Sequence, residues 1–323
     1  MKLLNLSLMV NENLNIGLSY AFRNNPKITE YHEIPVNENC FERLSNLDFD
    51  PDIIFIQIQN EKIGKRNTLD LNPILQKQFS SSFIINWTGD KRATIPKWIP
   101  RFTHDLACFS NWDDVKSYDI LGRSPSDFLQ IGIDPQVFNR NHPVKTMMVT
   151  GDLGEIVFFG NHAGHFPLSN FRKNAVTALK KRYGNRFQVY GNGYREARSS
   201  LNADPRNPNH NQIKEAYIYS RAKIGISISH FNSNGYFSDR LLRGMASGCC
   251  MLSHDFKGSD KLSDKKAIIR FHDINMMLKV CDALLENEDE RNLIRDTGYN
   301  YVHANHTYHN MTDDILNLYK KWK

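Results

Sequence analysis

Residues 224–256 constrain the fold more than any other stretch, because their hydrophobic period changes twice over a short length. Isoleucines alternate with small residues in 224–229, which is typical of a β-strand. After a polar loop at 230–236, apolar residues recur at helical spacing in 241–246, and 249–252 is a short apolar strand. The order strand, loop, helix, strand predicts one repeat of a parallel α/β sheet.

The junction of this loop and helix has the properties of an anion site. Ser238 and Asp239 are favourable N-cap residues, and Gly248 is placed to end the helix. The first N–H groups of a helix lack partners within it, so a helix that begins beyond the end of a parallel strand can bind an anion. The sequence therefore predicts an anionic ligand close to Ser238.

Strands and helices alternate along the rest of the chain in two series. We predict further strands at 2–10, 51–59, 82–87, 106–110, 128–131, 155–160, 186–190 and 267–271. We predict helices at 14–22, 69–79, 112–118, 170–182, 212–221, 275–286, 289–301 and 312–322. Because the stretch 135–150 is polar and without periodicity, we expect two doubly wound α/β domains, 1–140 and 155–310, with a linker at 141–154.

Composition limits the partners and the compartment. The net charge of +6 is mildly basic, which suits a phosphate-bearing ligand and permits a polyanionic partner without requiring one. There is no apolar run of 18 residues, so we expect no membrane span. The 5 cysteines are odd in number and have no metal-binding spacing, which predicts buried thiols in a reducing, cytoplasmic compartment.

Five blocks together resemble one family. They are 128–140 (FLQIGIDPQVFNR), 156–179 (IVFFGNHAGHFPLSNFRKNAVTAL), 187–194 (FQVYGNGY), 220–252 (SRAKIGISIS and YFSDRLLRGMASGCCML) and 301–316 (YVHANHTYHNMTDDIL). In content and order they are similar to blocks of GT-B glycosyltransferases, in the group 1 branch that includes CgeB-like spore-maturation proteins. The resemblance implies a GT-B fold, with two Rossmann-like doubly wound domains facing across a cleft. It also implies that a terminal helix, 311–323, crosses back to the first domain.

The resemblance implies that the second domain binds a nucleotide-sugar donor, with a UDP-sugar favoured and no tightly bound cofactor. Arg240 matches the family's arginine after the loop, where a guanidinium can clamp a diphosphate, although a solvated surface arginine is the alternative. The other predicted donor contacts are Gly160, Asn161, His162, Gly191, His230, Asn234, Gly235, Tyr236, Ser238, Asp239 and Arg243. Arg172 and Lys173 begin a predicted helix, and each either reaches an anion or is solvated.

One position departs from the family pattern. Arg243 stands where the family has a glutamate that holds the donor ribose, and Gly235 stands where a related acidic residue is expected. The ribose contact is therefore open, and Asp239 is one neighbour that could supply it.

In the first domain, Asp90 follows a predicted strand at its carboxyl end, so we predict that it contacts the acceptor or acts as a base. A plain turn aspartate is the alternative. Asp48 and Asp50 form a DxD pattern, but they precede a strand and lie at the opposite edge, and His162 and His165 lack further metal ligands nearby. We therefore predict no metal requirement, with Arg240 stabilising the leaving diphosphate.

The leading hypothesis is transfer of a sugar to a hydroxyl acceptor, with retention at the anomeric carbon as the resemblance implies. The acceptor is either a surface glycan or hydroxymethylpyrimidine in DNA, which would place the protein in the cytoplasm of a cell or of a virus-infected host. Basic stretches at 62–66, 91–101 and 172–186 suit DNA, although such stretches are often solvated surfaces. The alternatives are a non-catalytic module that binds nucleotide-sugar or nucleic acid, and an epimerase of the same shape. The oligomeric state is left open.

Overall fold

Two six-stranded sheets, parallel throughout, carry the fold. The structure is a computed structural model that describes residues 1–7, 9–10, 13–14, 16–141, 153–194, 197–198 and 208–323. Backbone contacts divide the chain into unit 1, Met1–Gly132 with Tyr308–Lys323, and unit 2, Ile133–Thr307.

Before the chain enters unit 2, the described residues of unit 1 form ten strands and four α-helices. The strands are β1 (Lys2–Ser7), β2 (Met9–Val10), β3 (Asn13–Leu14), β4 (Glu30–Pro35), β5 (Ile53–Ile56), β6 (Lys62–Ile63), β7 (Arg66–Asn67), β8 (Phe83–Thr88), β9 (Leu106–Phe109) and β10 (Ser126–Phe128). The helices are α1 (Ile16–Arg23), α2 (Cys40–Ser45), α3 (Asn72–Gln78) and α4 (Trp112–Asp119). The sheet order is β10-β9-β8-β5-β1-β4, and β2–β3 and β6–β7 are small antiparallel pairs.

Unit 2 repeats the alternation around a second sheet of order β13-β12-β11-β14-β15-β16. Its strands are β11 (Ile156–Phe159), β12 (Phe187–Tyr190), β13 (Ala197–Arg198), β14 (Ile224–Ser227), β15 (Cys250–His254) and β16 (Ile269–Phe271). Its helices are α5 (Ser169–Tyr183), α6 (Pro208–Arg221), α7 (Asp239–Ala246), α8 (Asp260–Ser263), α9 (Ile274–Glu286) and α10 (Glu288–Asn305). The last helix, α11 (Tyr308–Trp322), belongs to unit 1.

Each sheet is buried on both faces, as expected of parallel sheets whose crossover helices cover both sides. In unit 1, one apolar cluster contains Ile54 and Phe109, and the other contains Phe55 with Ile315 of α11. In unit 2, β14 is buried at all four positions, because helices contact it and Met251 fills the space over Gly225. The small residues that alternate with isoleucine in β14 therefore face closely packed side chains and do not face solvent.

Several local predictions differ from the structure. The strand predicted at 128–131 lies earlier, at Ser126–Phe128, where it pairs with β9. β4 and α2 were not predicted, since the sequence of β4, EYHEIP, is polar and forms an edge strand. Backbone contacts place the division between the units after Gly132, and residues 133–140 belong to unit 2, where Phe138 packs against Arg243 and Arg140 pairs with Asp296.

The described helices include none with the length and apolar character needed to cross a bilayer.

Removing the apolar contact of α11 should destabilise unit 1 specifically. Ile315 is fully buried in the cluster that includes Phe55, so Ile315→Ala should lower the free energy of unfolding by about 2–5 kcal/mol. Hydrogen exchange should accelerate in β1 and β5 and stay unchanged in β14. Asn317→Ala, at an exposed position of the same helix, is the control and should change stability by less than about 0.5 kcal/mol. Equal acceleration in both sheets would contradict this assignment.

Candidate functional site

Three loops of unit 2 leave the carboxyl ends of neighbouring strands. Gly160 and His162 follow β11, Gly191 follows β12, and residues 228–238 follow β14. Ligands of open parallel sheets bind at this edge. Most of the residues predicted to contact the donor therefore lie along one edge of one sheet.

The two glycine-containing loops are hydrogen-bonded to each other. The His162 N–H donates to the Asn192 carbonyl oxygen at 2.8 Å, and the Asn192 N–H donates to Asn161 Oδ1 at 2.8 Å. A Cβ at Gly191, where φ is +148°, would lie 2.2 Å from the Gly160 carbonyl oxygen. Glycine at 191 is therefore required by this backbone contact, whether or not the loop also touches a ligand.

Arg172, in the first turn of α5, lies directly beneath the first of these loops. Its side chain is 2% exposed, and a Cβ at Gly160 would lie 2.3 Å from Arg172 Nη2. Its Nε has no hydrogen-bond partner within the described part of the chain. Burial lowers the pKa of the Arg172 guanidinium, and Arg240 acts in the same direction while Tyr194 opposes it. Lys173, by contrast, is exposed.

The loop after β14 leads into α7 as the sequence predicts. Ser238 is the N-cap residue, and its hydroxyl accepts from the Arg240 N–H at 3.4 Å and from Arg240 Nη1 at 3.1 Å. Gly235 has a φ of +75°, a conformation that favours glycine, and its N–H donates to the Lys257 carbonyl oxygen at 2.7 Å. Asn234 and Tyr236 flank this turn. The predicted N-cap is confirmed, and the side chain of Arg240 is 36% exposed.

Positive groups converge on His230. The pKa of His230 is lowered to about 4, mainly by burial, with further contributions from the neighbouring Arg172, Arg240, His165 and His162. His230 is therefore neutral near pH 7. The Nδ1 atoms of His162 and His230 are buried without a hydrogen-bond partner in the described residues. Two guanidinium groups and unpartnered imidazole nitrogens make this edge a favourable place for an anion.

Arg243 has a different environment from Arg240, although it lies one turn later on α7. Its Nη1 is 3.1 Å from Glu215 Oε2 on α6, and its Nη2 is 2.9 Å from Asp239 Oδ2. Burial raises the pKa of Glu215, with Arg243 opposing it. Burial also disfavours ionisation of Asp239, but Arg243 and Arg240 hold its pKa below the usual value. The donor contact of Arg243 stays a prediction, and its observed contacts form an internal ion-pair network.

In unit 1, Asp90 is exposed just beyond the carboxyl end of β8, at the predicted edge. The adjacent cations are engaged within the unit: Lys91 pairs with Asp114, and Arg92 donates to the Gln59 carbonyl oxygen. The DxD pattern at 48–50 precedes β5 and lies at the amino end, as expected. Among the described residues, no group of three or more His, Cys, Asp or Glu is arranged to hold a metal ion.

Comparisons with known proteins identify the fold. A family model described as glycosyl transferase-like matches residues 172–317, which is less than half of the chain. The E. coli trehalose-6-phosphate protein bound with UDP-2-fluoro glucose is 12% identical, with a TM-score of 0.64 and 99% of each chain covered. An Anabaena protein in complex with UDP and glucose is 8% identical, with a TM-score of 0.60, covering 99% of this chain and 100% of that one.

A glycosyltransferase from Rickettsia africae is 11% identical, with a TM-score of 0.61, covering 99% of this chain and 98% of that one. A comparison with curated protein sequences finds no match. The prediction of a GT-B fold built from two Rossmann-like α/β domains is confirmed. At these identities the structures establish the fold, and the CgeB-like branch stays a prediction.

The network around Arg243 predicts a loss of stability in Arg243→Ala. Glu215 is 8% exposed, so removal of its cation leaves a buried carboxylate unpaired, and we expect a loss of about 3–5 kcal/mol in urea unfolding. The double variant Arg243→Ala with Glu215→Gln should recover part of that loss. If Arg243→Ala keeps its stability and instead loses affinity for UDP, Arg243 is a donor contact.

The environment of His230 predicts a stability difference at low pH. Its pKa in the folded protein is about 4, below the unfolded value of about 6.5, so the unfolded state takes up the proton first as pH falls. The free energy of unfolding should be constant above about pH 6.5 and fall towards pH 4. The decline should be smaller in His230→Gln. His104 and His306 have similarly lowered pKa values and contribute to the decline in both proteins, so the measured quantity is the difference between the variant and the wild type. Parallel curves would contradict the assignment.

Proposed function

We propose that the protein is a glycosyltransferase that moves a sugar from a UDP-sugar to a hydroxyl acceptor. The observation that carries this proposal is the pair Arg172 and Arg240, whose guanidinium groups approach one strand edge of unit 2 within the segment that matches the glycosyl transferase-like family model. Two proteins of similar fold are bound with UDP-2-fluoro glucose, or with UDP and glucose. A diphosphate suits this edge because its negative charge would neutralise the positive charge of the two guanidinium groups.

In this proposal unit 2 holds the donor. Arg240 and the first N–H groups of α7 bind the diphosphate, and Arg172 adds charge from beneath Gly160. The remaining predicted donor residues shape the pocket around it. His162 and His230 contribute their unpartnered Nδ1 atoms, which in neutral imidazole either donate or accept a hydrogen bond.

The ribose requires a different carboxylate from the family's glutamate, since that position is Arg243. Glu215 uses Oε2 in its ion pair with Arg243, whereas its Oε1 is buried without a partner among the described residues. A buried carboxylate oxygen without a hydrogen bond is costly to maintain. Glu215, with Asp239, is therefore the proposed acceptor of hydrogen bonds from the ribose hydroxyls.

The proposed reaction proceeds with retention and without a metal. The bond between the anomeric carbon and the diphosphate oxygen breaks, and the acceptor oxygen bonds to that carbon on the same face. The acceptor proton passes to the leaving diphosphate, whose developing charge Arg240 stabilises. Asp90 is the proposed acceptor contact in unit 1, because its carboxylate is exposed beyond the carboxyl end of β8 and can accept a hydrogen bond from a hydroxyl.

A non-catalytic module that binds nucleotide-sugar is the second candidate, favoured by the replacement of the family's glutamate by Arg243. Incubation with UDP- and GDP-sugars separates the two. A transferase should release the nucleotide slowly to water and faster with an acceptor, whereas saturable binding with no release over hours would support the module.

Arg240→Ala should weaken binding of UDP-glucose by about 10- to 100-fold in calorimetry, because it removes a charge-assisted contact to the diphosphate. Arg240→Lys should recover part of that affinity by keeping the charge. Arg182→Ala is the matched control, since Arg182 lies in the last turn of α5 and pairs with Asp282 at an exposed position. Unchanged affinity in Arg240→Ala would show that the phosphates bind elsewhere.

A further inference from the structure

The carboxyl edge of unit 1 carries an exposed aromatic ring in a fixed orientation. Trp112, the first residue of α4, stacks nearly parallel to Phe128, with ring centroids 5.1 Å apart and an interplanar angle of 11°. Phe128 is the last residue of β10, and Trp112 follows the end of β9. Trp112 is nevertheless 38% exposed, whereas Trp87 and Trp98 of the same unit are buried.

The loop that carries Trp112 is tied to the loop that carries Asp90. Ser110 Oγ donates to the Gly89 carbonyl oxygen at 2.6 Å, and Lys91 pairs with the Asp114 carboxylate. These contacts join the segment after β8 to the segment after β9. The indole of Trp112 and the carboxylate of Asp90 are thus presented by one cross-linked edge, which limits the conformational entropy lost when a ligand binds.

The charge at this edge argues against a polyanionic ligand. Lys91 and Arg92, the cations nearest to Asp90 in sequence, are both used in contacts within the unit. The first turn of α4 adds the carboxylate of Asp113, whereas Asp114 is buried and paired with Lys91, and Lys116 lies in the last turn. DNA binding depends on Lys and Arg that contact phosphates, and carboxylates at the same place oppose it.

An indole beside carboxylates has the chemistry of a carbohydrate site. The apolar C–H face of a pyranose packs against an aromatic ring, and its hydroxyls donate to carboxylate oxygens. We propose that Trp112, which stacks on Phe128 and is tied to the Asp90 loop, forms the acceptor platform of unit 1 and binds a neutral carbohydrate. This inference rests on the proposed transfer reaction.

Direct titration of Trp112 tests the platform without any donor. The indole Nε1–H signals of the ¹⁵N-labelled protein are followed by TROSY during addition of maltose, cellobiose or sucrose, and Trp112→Phe identifies the signal of Trp112. At least one of these sugars should shift that signal saturably, while the signals of Trp87 and Trp322 stay in place because Leu129 and Asp127 accept their Nε1–H bonds. Trp112→Ala should weaken sugar binding by about tenfold, and Trp112→Phe should retain most of it.

Tyr20→Ala is the control, since Tyr20 is 44% exposed on α1 and should leave sugar binding unchanged. Absence of a shift with all three sugars at millimolar concentration overturns the proposal. A shift of Trp112 with a single-stranded oligonucleotide containing 5-hydroxymethylcytosine, and with none of the sugars, also overturns it in favour of base stacking. If the wild-type protein does not bind UDP-glucose but the sugars still shift the Trp112 signal, the transferase proposal is refuted and the carbohydrate platform is retained.

Discussion

The buried guanidinium of Arg172 is the constraint on which the proposed donor site depends. Burying a charge away from a counter-ion is unfavourable, and within the described residues the guanidinium of Arg172 faces the rings of Phe158 and Tyr194 rather than a carboxylate. A Cβ at position 160 would lie 2.3 Å from Arg172 Nη2 and would displace the guanidinium, and a Cβ at position 191 would lie 2.2 Å from the Gly160 carbonyl oxygen. The lack of a side chain at position 160 and part of the lowered pKa of His230, which burial lowers most, therefore follow from holding this positive charge at the strand edge.

Arg240 and Arg243 show how two similar side chains on one helix face acquire different roles. Ser238 at the N-cap holds Arg240 at the entrance to the helix, where it remains partly exposed. Arg243 reaches instead to Glu215 on a neighbouring helix and to Asp239 one turn earlier. Arg243 replaces the family's glutamate with a positive charge, and Glu215 supplies a negative charge beside it. The two charges balance each other locally.

Local periodicity in the sequence predicted most strands of the two large sheets and most of their crossover helices, and with them the position of the DxD pattern before β5. Residue type predicted the Ser238 cap. It did not predict β4, whose polar residues form an edge strand, or the burial of Arg172, since arginine is usually exposed. The partners of Arg243 and Lys91 were also missed, because Glu215 and Asp114 are distant in sequence and are brought near by sheet topology. Periodicity reports which face of an element is apolar, whereas the pairing of charges depends on the tertiary arrangement of the crossovers.

The cations at the carboxyl edges of the two sheets have different surroundings, and the proposed ligands of the two units differ for this reason. At the carboxyl edge of unit 2, Arg172 and Arg240 both lower the pKa of His230, so their positive charges are felt together. At the corresponding edge of unit 1, Lys91 is neutralised by Asp114 and Arg92 is held by a backbone carbonyl. In the proposed function, the positively charged edge of unit 2 stabilises a diphosphate, whereas the edge of unit 1, with its paired cations and exposed indole, suits an uncharged polyol.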